Sequence, residues 1–285
     1  MNQLPNKLEK EFTFTAEDFN FLSELAAKQA GINLTKDKQE LVYGRVAKRL
    51  RILGINKFSD YCTLLKQDDS EESTHFINSI TTNVTSFFRE NHHFEYLANE
   101  VIPDIIKKNS TTDHPRLRIW SAGCSTGNEP YSIAMVLREN IKDIDNWDVK
   151  ILATDLDSNV LQTAAEAVFP IDCTDQVSTE RKKQWMLMGT GTKTDSIKIR
   201  KEIRKLIHFK QLNLTEPWPI NGTFDCIFFR NVAIYFKRET QINILNRFAD
   251  HLEKNGTLFV GHSESLIGLS QRYKNAGQTI HKKIS

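Results

Sequence analysis

The chain has 285 residues, 26% of them charged, with a formal net charge of +2. Such a near-balance excludes a polybasic nucleic-acid binder or a membrane-surface protein as a reading of the whole chain, so any electrostatic message has to be local. Cys62, Cys124, Cys173 and Cys226 share no C-x-x-C spacing, which argues against a zinc site or disulfide framework and for a reducing compartment. No apolar run approaches the ~18 residues of a membrane span, and the first residues lack the apolar core of a signal peptide, so a soluble cytoplasmic protein is expected.

The length suits one full domain plus a small one. From Thr15 to about Thr81 the pattern is helical. Thr15 with Asp18 opens a helix as a capping box, and Gly31 closes it. A second helix is predicted from Lys36 to Leu53, closed by Gly54, and shorter ones over Phe58 to Lys66 and Ser70 to Ile80. In the second, Val42, Val46, Leu50 and Leu53 form an inward stripe, while Lys38, Arg45, Lys48 and Arg49 lie on an adjoining face that looks out. Between Lys36 and Lys57 seven basic residues stand against two acids, Asp37 and Glu40.

After a longer helix ending near "IIKKN", short apolar runs alternate with amphipathic segments, the signature of a parallel sheet covered by helices. "LRIWSAG", "VKILATDLD", "LIHFKQLNL", "FDCIFFRN" and "GTLFVGHSE" are the predicted strands. Helices from about Glu129 to Asn140, Ser158 to Val168 and Arg238 to Leu252 connect them. One region breaks this grammar. Around 186–206, Ile197, Ile199 and Ile203 alternate beside a Gly-Thr-Gly turn, which predicts a small antiparallel insert. The surrounding stretch Arg181 to Lys210 holds ten basic residues against Asp195 and Glu202, most simply a solvated surface.

The first strand runs into "SAGCSTGNEPYS". In an open α/β sheet ligands sit beyond the carboxyl ends of the strands, where a glycine such as Gly123 lets the backbone approach. The turn is neither G-x-x-x-x-G-K-[ST] nor G-x-G-x-x-G. Glu129 also puts a negative charge in the first turn of the helix, where a phosphate would otherwise dock. The next strand ends in "ATDLD", placing Asp155 where a carboxylate commonly accepts the two hydroxyls of a ribose. The local alternative is that Glu129 caps its own helix and Asp155 the next. Taken together, the two acids point to an adenosine that bears no phosphate and carries positive charge, a description that S-adenosyl-L-methionine meets.

Three more stretches, "NVTSFFRE" (Asn83 to Glu90), "FFRNVAIYF" (Phe228 to Phe236) and "GHSES" (Gly261 to Ser265), set around "SAGCSTGNEPYS", make the chain resemble the chemotaxis receptor methyltransferases of the CheR family. The likeness runs in order from about Phe19 to Thr279. It implies an all-α N-terminal domain over residues 1–81 that docks on receptors, and a Rossmann-like methyltransferase domain over 82–285 carrying the small β-subdomain. It implies transfer of a methyl group from S-adenosyl-L-methionine to receptor glutamate carboxylates, with S-adenosyl-L-homocysteine as product and no metal. The cofactor contacts implied are Asn83, Thr85, Arg89, Glu129, Asp155, Asn213, Leu214, Arg230 and Asn231. Arg89 and Tyr235 are the positions nearest the chemistry. The partners implied are methyl-accepting chemotaxis receptors, through the cytoplasmic helical bundle and a C-terminal tail peptide captured by strand addition. Nucleic acid, membrane insertion and oligomerisation are not implied. Asn128, Ala233 and Phe229 depart from the residues usual in the family.

A glutamate carboxylate, with a reference pKa of about 4.3, is already an anionic nucleophile at neutral pH, so no Ser/His/Asp or Cys/His constellation is required. The guanidinium of Arg89 suits either the incoming carboxylate or the cofactor's own. His92 and His93 have no third ligand at a useful spacing and read as structural. Two other functions fit parts of the sequence: an RNA methyltransferase, favoured by the basic patches but without an aromatic-basic recognition motif, and a non-catalytic sensor of the cofactor or its product.

Overall fold

A computed structural model describes residues 10–67, 70–266 and 268–284. The chain forms two compact units that divide between Thr81 and Thr82.

The first unit is helical: α1 (Ala16–Ala30), α2 (Gln39–Leu53), α3 (Phe58–Lys66) and α4 (Ser70–Ile80). At the start of α1 the Asp18 N–H donates to the Thr15 hydroxyl and the Thr15 N–H donates to the Asp18 carboxylate at 2.9 Å, the reciprocal pair of a capping box. Gly31, at φ 69°, ends the helix in the left-handed region. A 3₁₀ turn over Lys36–Lys38 precedes α2, so the predicted single helix starts one tighter turn early. Val42, Val46 and Leu50 are fully buried, but Leu53, in the last turn before Gly54, is exposed. The inward stripe therefore ends at Leu50.

The expected outward basic face of α2 needs correction. Lys38 and Lys48 are exposed, but the two arginines are used inside the unit. Arg49 grips the buried carboxylate of Glu72 on α4 with Nε at 2.8 Å and with a terminal nitrogen, and the Tyr61 hydroxyl donates to the same carboxylate at 2.7 Å. Arg45 donates to the carbonyls of Ser79, in the last turn of α4, and of Thr81, just past its end. A carboxylate buried on α4 requires a cation, and orphan carbonyls at a helix end require donors. Helical spacing on α2 alone contains neither demand.

The second unit begins with α5 (His92–Tyr96), a π turn over Leu97–Val101 and α6 (Ile102–Asn109), which together form the long helix predicted to end near Asn109. Pro103 lacks the N–H that would continue the regular ladder, and the helix widens just before it. There follow β1 (Arg116–Ala122), α7 (Asn128–Asn140), β2 (Asp148–Asp155), α8 (Ser158–Glu166), β3 (Val168–Pro170), α9 (Thr179–Trp185), β4 (Met186–Met188), β5 (Ser196–Ile199), α10 (Lys201–Arg204), β6 (Ile207–Gln211), β7 (Phe224–Phe229), α11 (Arg238–His251), β8 (Leu252–Val260), β9 (Tyr273–Gly277) and β10 (Ile280–Lys283).

Seven strands form one sheet in the order β6-β2-β1-β7-β8-β10-β9. The first five are parallel, while β10 runs antiparallel between β8 and β9. Every residue of β7 is buried, as expected for a central parallel strand covered on both faces. Ile119, Ile151 and Phe228 look toward a core shared with α7; Trp120, Ile227 and Phe229 look toward Ile244, Leu245 and Phe248 of α11. Neither β9 nor β10 was predicted. "YKNAG" and "IHKK" are short and polar, and their place comes from pairing with β8.

The insert is a separate antiparallel sheet in the order β3-β5-β4. It differs from the expected 186–206 at both ends. Ala167, at φ 56°, stops α8, and Val168, predicted as the last helical residue, instead opens an edge strand over Val168–Pro170. Ile197 and Ile199 point into the core as their alternation predicts, but Ile203 reaches it from α10 instead of from a strand.

Candidate functional site

The carboxyl ends of β1, β2, β6 and β7 lie side by side, and the turns that leave them carry most of the predicted site residues. After β1 the chain folds over the end of β2: the N–H groups of Gly123 and Cys124 both donate to the Thr154 carbonyl, at 2.8 and 2.9 Å. Gly123 has φ 91°, and a Cβ there would lie 2.3 Å from a Val232 methyl. Both backbone angle and space therefore demand glycine. Gly123→Ala is expected to weaken S-adenosyl-L-homocysteine binding at least tenfold, because the turn must move away from Val232; titration calorimetry checks it, and unchanged affinity would refute the packing argument.

Neither acid caps a helix. Glu129, buried in the first turn of α7, accepts the Ser121 hydroxyl on one oxygen at 2.7 Å and an Arg230 terminal nitrogen on the other at 2.8 Å. Asp155 accepts the Ser125 N–H at 2.7 Å and the Asp157 N–H at 3.0 Å, which ties the end of β2 to the glycine turn. Burial raises the pKa of its carboxyl. The cap of α8 is Asp157, which accepts the Asn159 N–H.

The loop before α5 reaches the same place. Asn83 donates from its amide to Asp157 at 2.8 Å, and its carbonyl accepts the Ser125 hydroxyl at 3.0 Å. Thr85 is half-buried in this loop. Arg89 folds back on it, donating to the Val84 carbonyl at 3.0 Å with Nε 4.0 Å from Glu90. Phe88 and Glu90 both have left-handed backbone, at φ 55° and 56°. Such conformations in bulky residues are held only by their surroundings.

Arg230 joins this loop to the glycine turn. Its buried guanidinium binds Glu129, donates to the Arg89 carbonyl and lies 3.4 Å from a Glu90 oxygen, above the Phe94 ring. Its Nε has no hydrogen-bond partner among the described residues. Burial works to raise the Glu90 pKa, but Arg230 and His262 beside it carry the value below its ordinary range. His93 is buried and 2.8 Å from the Thr279 hydroxyl; burial, with Arg230 close by, pushes its pKa down to about 2, so it is neutral. Among the described residues no group of His, Cys, Asp and Glu is arranged to hold a metal ion.

At the end of β6, the Asn213 side chain accepts from the Thr215 N–H and hydroxyl, and Leu214 is buried on the α11 side of the sheet. After β7, Asn231 is left-handed at φ 61°, and the Tyr235 hydroxyl donates to the Thr82 carbonyl at 3.3 Å. The sequence reading assigned no role to Glu90, which lies beside Arg230, to Asp157, which accepts the Asn83 amide and caps α8, or to Glu264, which accepts backbone N–H groups of the turn after β7. They lie in "NVTSFFRE", "ATDLD" and "GHSES", and membership of those stretches is the signal that could have drawn attention to them.

An open, mainly parallel sheet with a glycine turn and acids at its carboxyl edge defines a Rossmann-like nucleoside-binding domain. The acidic acceptor set, without a phosphate loop, fits S-adenosyl-L-methionine, as does the Nε of buried Arg230 beside it, which has no partner among the described residues. The family comparison is specific. The CheR methyltransferase SAM binding domain matches residues 83–282 and the CheR methyltransferase all-alpha domain residues 17–81. The chain belongs to the CheR methyltransferase family and is an S-adenosyl-L-methionine-dependent methyltransferase. It is 41% identical to chemotaxis protein methyltransferase 2 of Pseudomonas aeruginosa over 95% of each chain. It is 38% identical to the chemotaxis protein methyltransferase of Escherichia coli, over 92% of this chain and 89% of that one. For the Borreliella burgdorferi chemotaxis protein methyltransferase the identity is 35%, over 94% of this chain and 95% of that one.

Proposed function

We infer that this methyltransferase acts in chemotaxis, converting glutamate side chains in the cytoplasmic region of methyl-accepting receptors into methyl esters. The observation that carries the reading is the meeting of Glu129, Asp155 and Arg230 around the Gly123 turn, in a chain whose relatives are named chemotaxis methyltransferases. Asp155 takes the ribose hydroxyls, with Asn213 and Leu214 bordering the base. Glu129, Arg230, Asn231, Asn83, Thr85 and Arg89 surround the methionine part.

When bound, S-adenosyl-L-methionine supplies an electrophilic methyl group on a positively charged sulfur. The glutamate oxygen forms the new O–CH₃ bond, the S–CH₃ bond breaks with its electron pair going to sulfur, and no proton moves. The chain therefore has to orient and dry the reactants rather than supply a base. Arg89, held over the loop by Val84, is positioned to hold a carboxylate. Tyr235 lines the substrate side, and Tyr235→Phe is expected to lower kcat at least fivefold while S-adenosyl-L-homocysteine affinity stays within twofold. Unchanged turnover would remove it from the mechanism.

Of the four predicted docking cations, Lys38 and Lys48 are exposed while Arg45 and Arg49 are held internally, which narrows that set to the two lysines. These lysines steer an acidic receptor bundle through salt-dependent attraction. Lys38→Glu with Lys48→Glu is expected to raise the receptor KM three- to tenfold at low salt with kcat retained, and kinetics indifferent to the reversal would refute docking there. The small β3-β5-β4 sheet offers edges for a receptor tail by strand addition. A monomeric cytoplasmic protein suits this role; among the described residues no helix is long and apolar enough to cross a membrane. Labelled cofactor offered with receptor cytoplasmic fragment or with RNA tests the function: label should enter the receptor alone, and label on RNA would overturn the reading.

A further inference from the structure

Glu264, in the "GHSES" stretch, is buried where β7 and β8 end, and its carboxylate points at backbone. One oxygen accepts the N–H groups of Gly261 at 2.6 Å and Asn231 at 2.8 Å; the other accepts the Ala233 N–H at 2.7 Å. This is a concavity of backbone donors of the kind that holds an anion, filled here by the chain's own carboxylate. The turn it holds is the one that leaves β7 with Asn231 in the left-handed conformation and continues to Tyr235. Gly261 is part of the same arrangement: a Cβ there would lie 2.6 Å from the Asn231 side-chain amide and 2.9 Å from Glu264.

Nothing in this geometry requires a carboxylate merely to end a strand. A buried charge with several N–H donors rigidifies what it binds, and what it binds is the backbone beneath two residues of the site. We propose that Glu264 is a positioning residue for methyl transfer, fixing the turn at Asn231–Ala233 so that Asn231 and Tyr235 face the reactants. The proposal rests on the reading of Asn231 and Tyr235 given above.

Glu264→Gln keeps the shape but turns an amide NH₂ toward backbone donors. With receptor cytoplasmic fragment as substrate, it is expected to lower kcat at least tenfold, with receptor KM within twofold and the far-ultraviolet circular dichroism spectrum unchanged. The decisive readout is a mutant cycle. In the combined Tyr235→Phe, Asn231→Ala background the same substitution should lower kcat by less than threefold, because both groups it positions are already gone. An equal factor in both backgrounds, or full turnover in Glu264→Gln, overturns the proposal. Full turnover in Tyr235→Phe and Asn231→Ala themselves would instead remove the roles of those two residues, and the proposal with them.

Discussion

Asp155→Asn is expected to weaken S-adenosyl-L-homocysteine binding roughly 100-fold, about 2.8 kcal/mol, while the melting temperature changes little. Hydrogen bonds to a charged acceptor contribute about 1.5–3 kcal/mol each, and under the proposed function this carboxylate would accept two ribose hydroxyls. The asparagine keeps one acceptor oxygen for the Ser125 and Asp157 N–H groups that now share the two oxygens. A calorimetric titration gives both affinity and stoichiometry. Affinity within threefold of the parent would mean that Asp155 only braces the glycine turn.

The second large effect lies in the helical unit. Arg49→Glu should destabilise it by about 3–5 kcal/mol, since two carboxylates would face each other where a buried ion pair now stands. For a domain of this size that is a fall in melting temperature of ten degrees or more, read by circular dichroism. The combined change Arg49→Met, Glu72→Leu and Tyr61→Phe, which also removes the buried hydroxyl that Glu72 now accepts, should recover most of the loss, because well-packed apolar side chains replace buried polar groups at little cost. Lys48→Glu, at an exposed position, should leave the melting temperature within about two degrees. Equal effects of Arg49→Glu and Lys48→Glu would contradict the division of α2 into an internal and an outward basic set.

That division shows where sequence reading succeeds and where it stops. Periodicity and caps located α1 and α2 because Thr15, Gly31 and Gly54 act on their own segments. The same periodicity put Arg45 and Arg49 on an outward face because the groups that claim them, Glu72 and the Ser79 and Thr81 carbonyls, lie on another helix. The five parallel strands were legible as apolar runs, but β9 and β10 were not, since their pairing with β8 comes from the sheet rather than from their own composition. At the site, the glycine turn and its acids could be read from residue type and spacing. The bonds of Glu129 to Arg230 and of Glu264 to the Asn231 turn span long stretches of chain, and no local pattern encodes them.

The claim that joins these parts is that the acceptor is a carboxylate. Incubating the protein with S-adenosyl-L-methionine and receptor cytoplasmic fragment, then mapping the fragment by peptide mass spectrometry before and after mild base, tests it directly. The account predicts single-methyl mass increases at glutamate residues that base removes with release of methanol. Methyl groups that survive the base, or that map to lysine, arginine or cysteine, would contradict it.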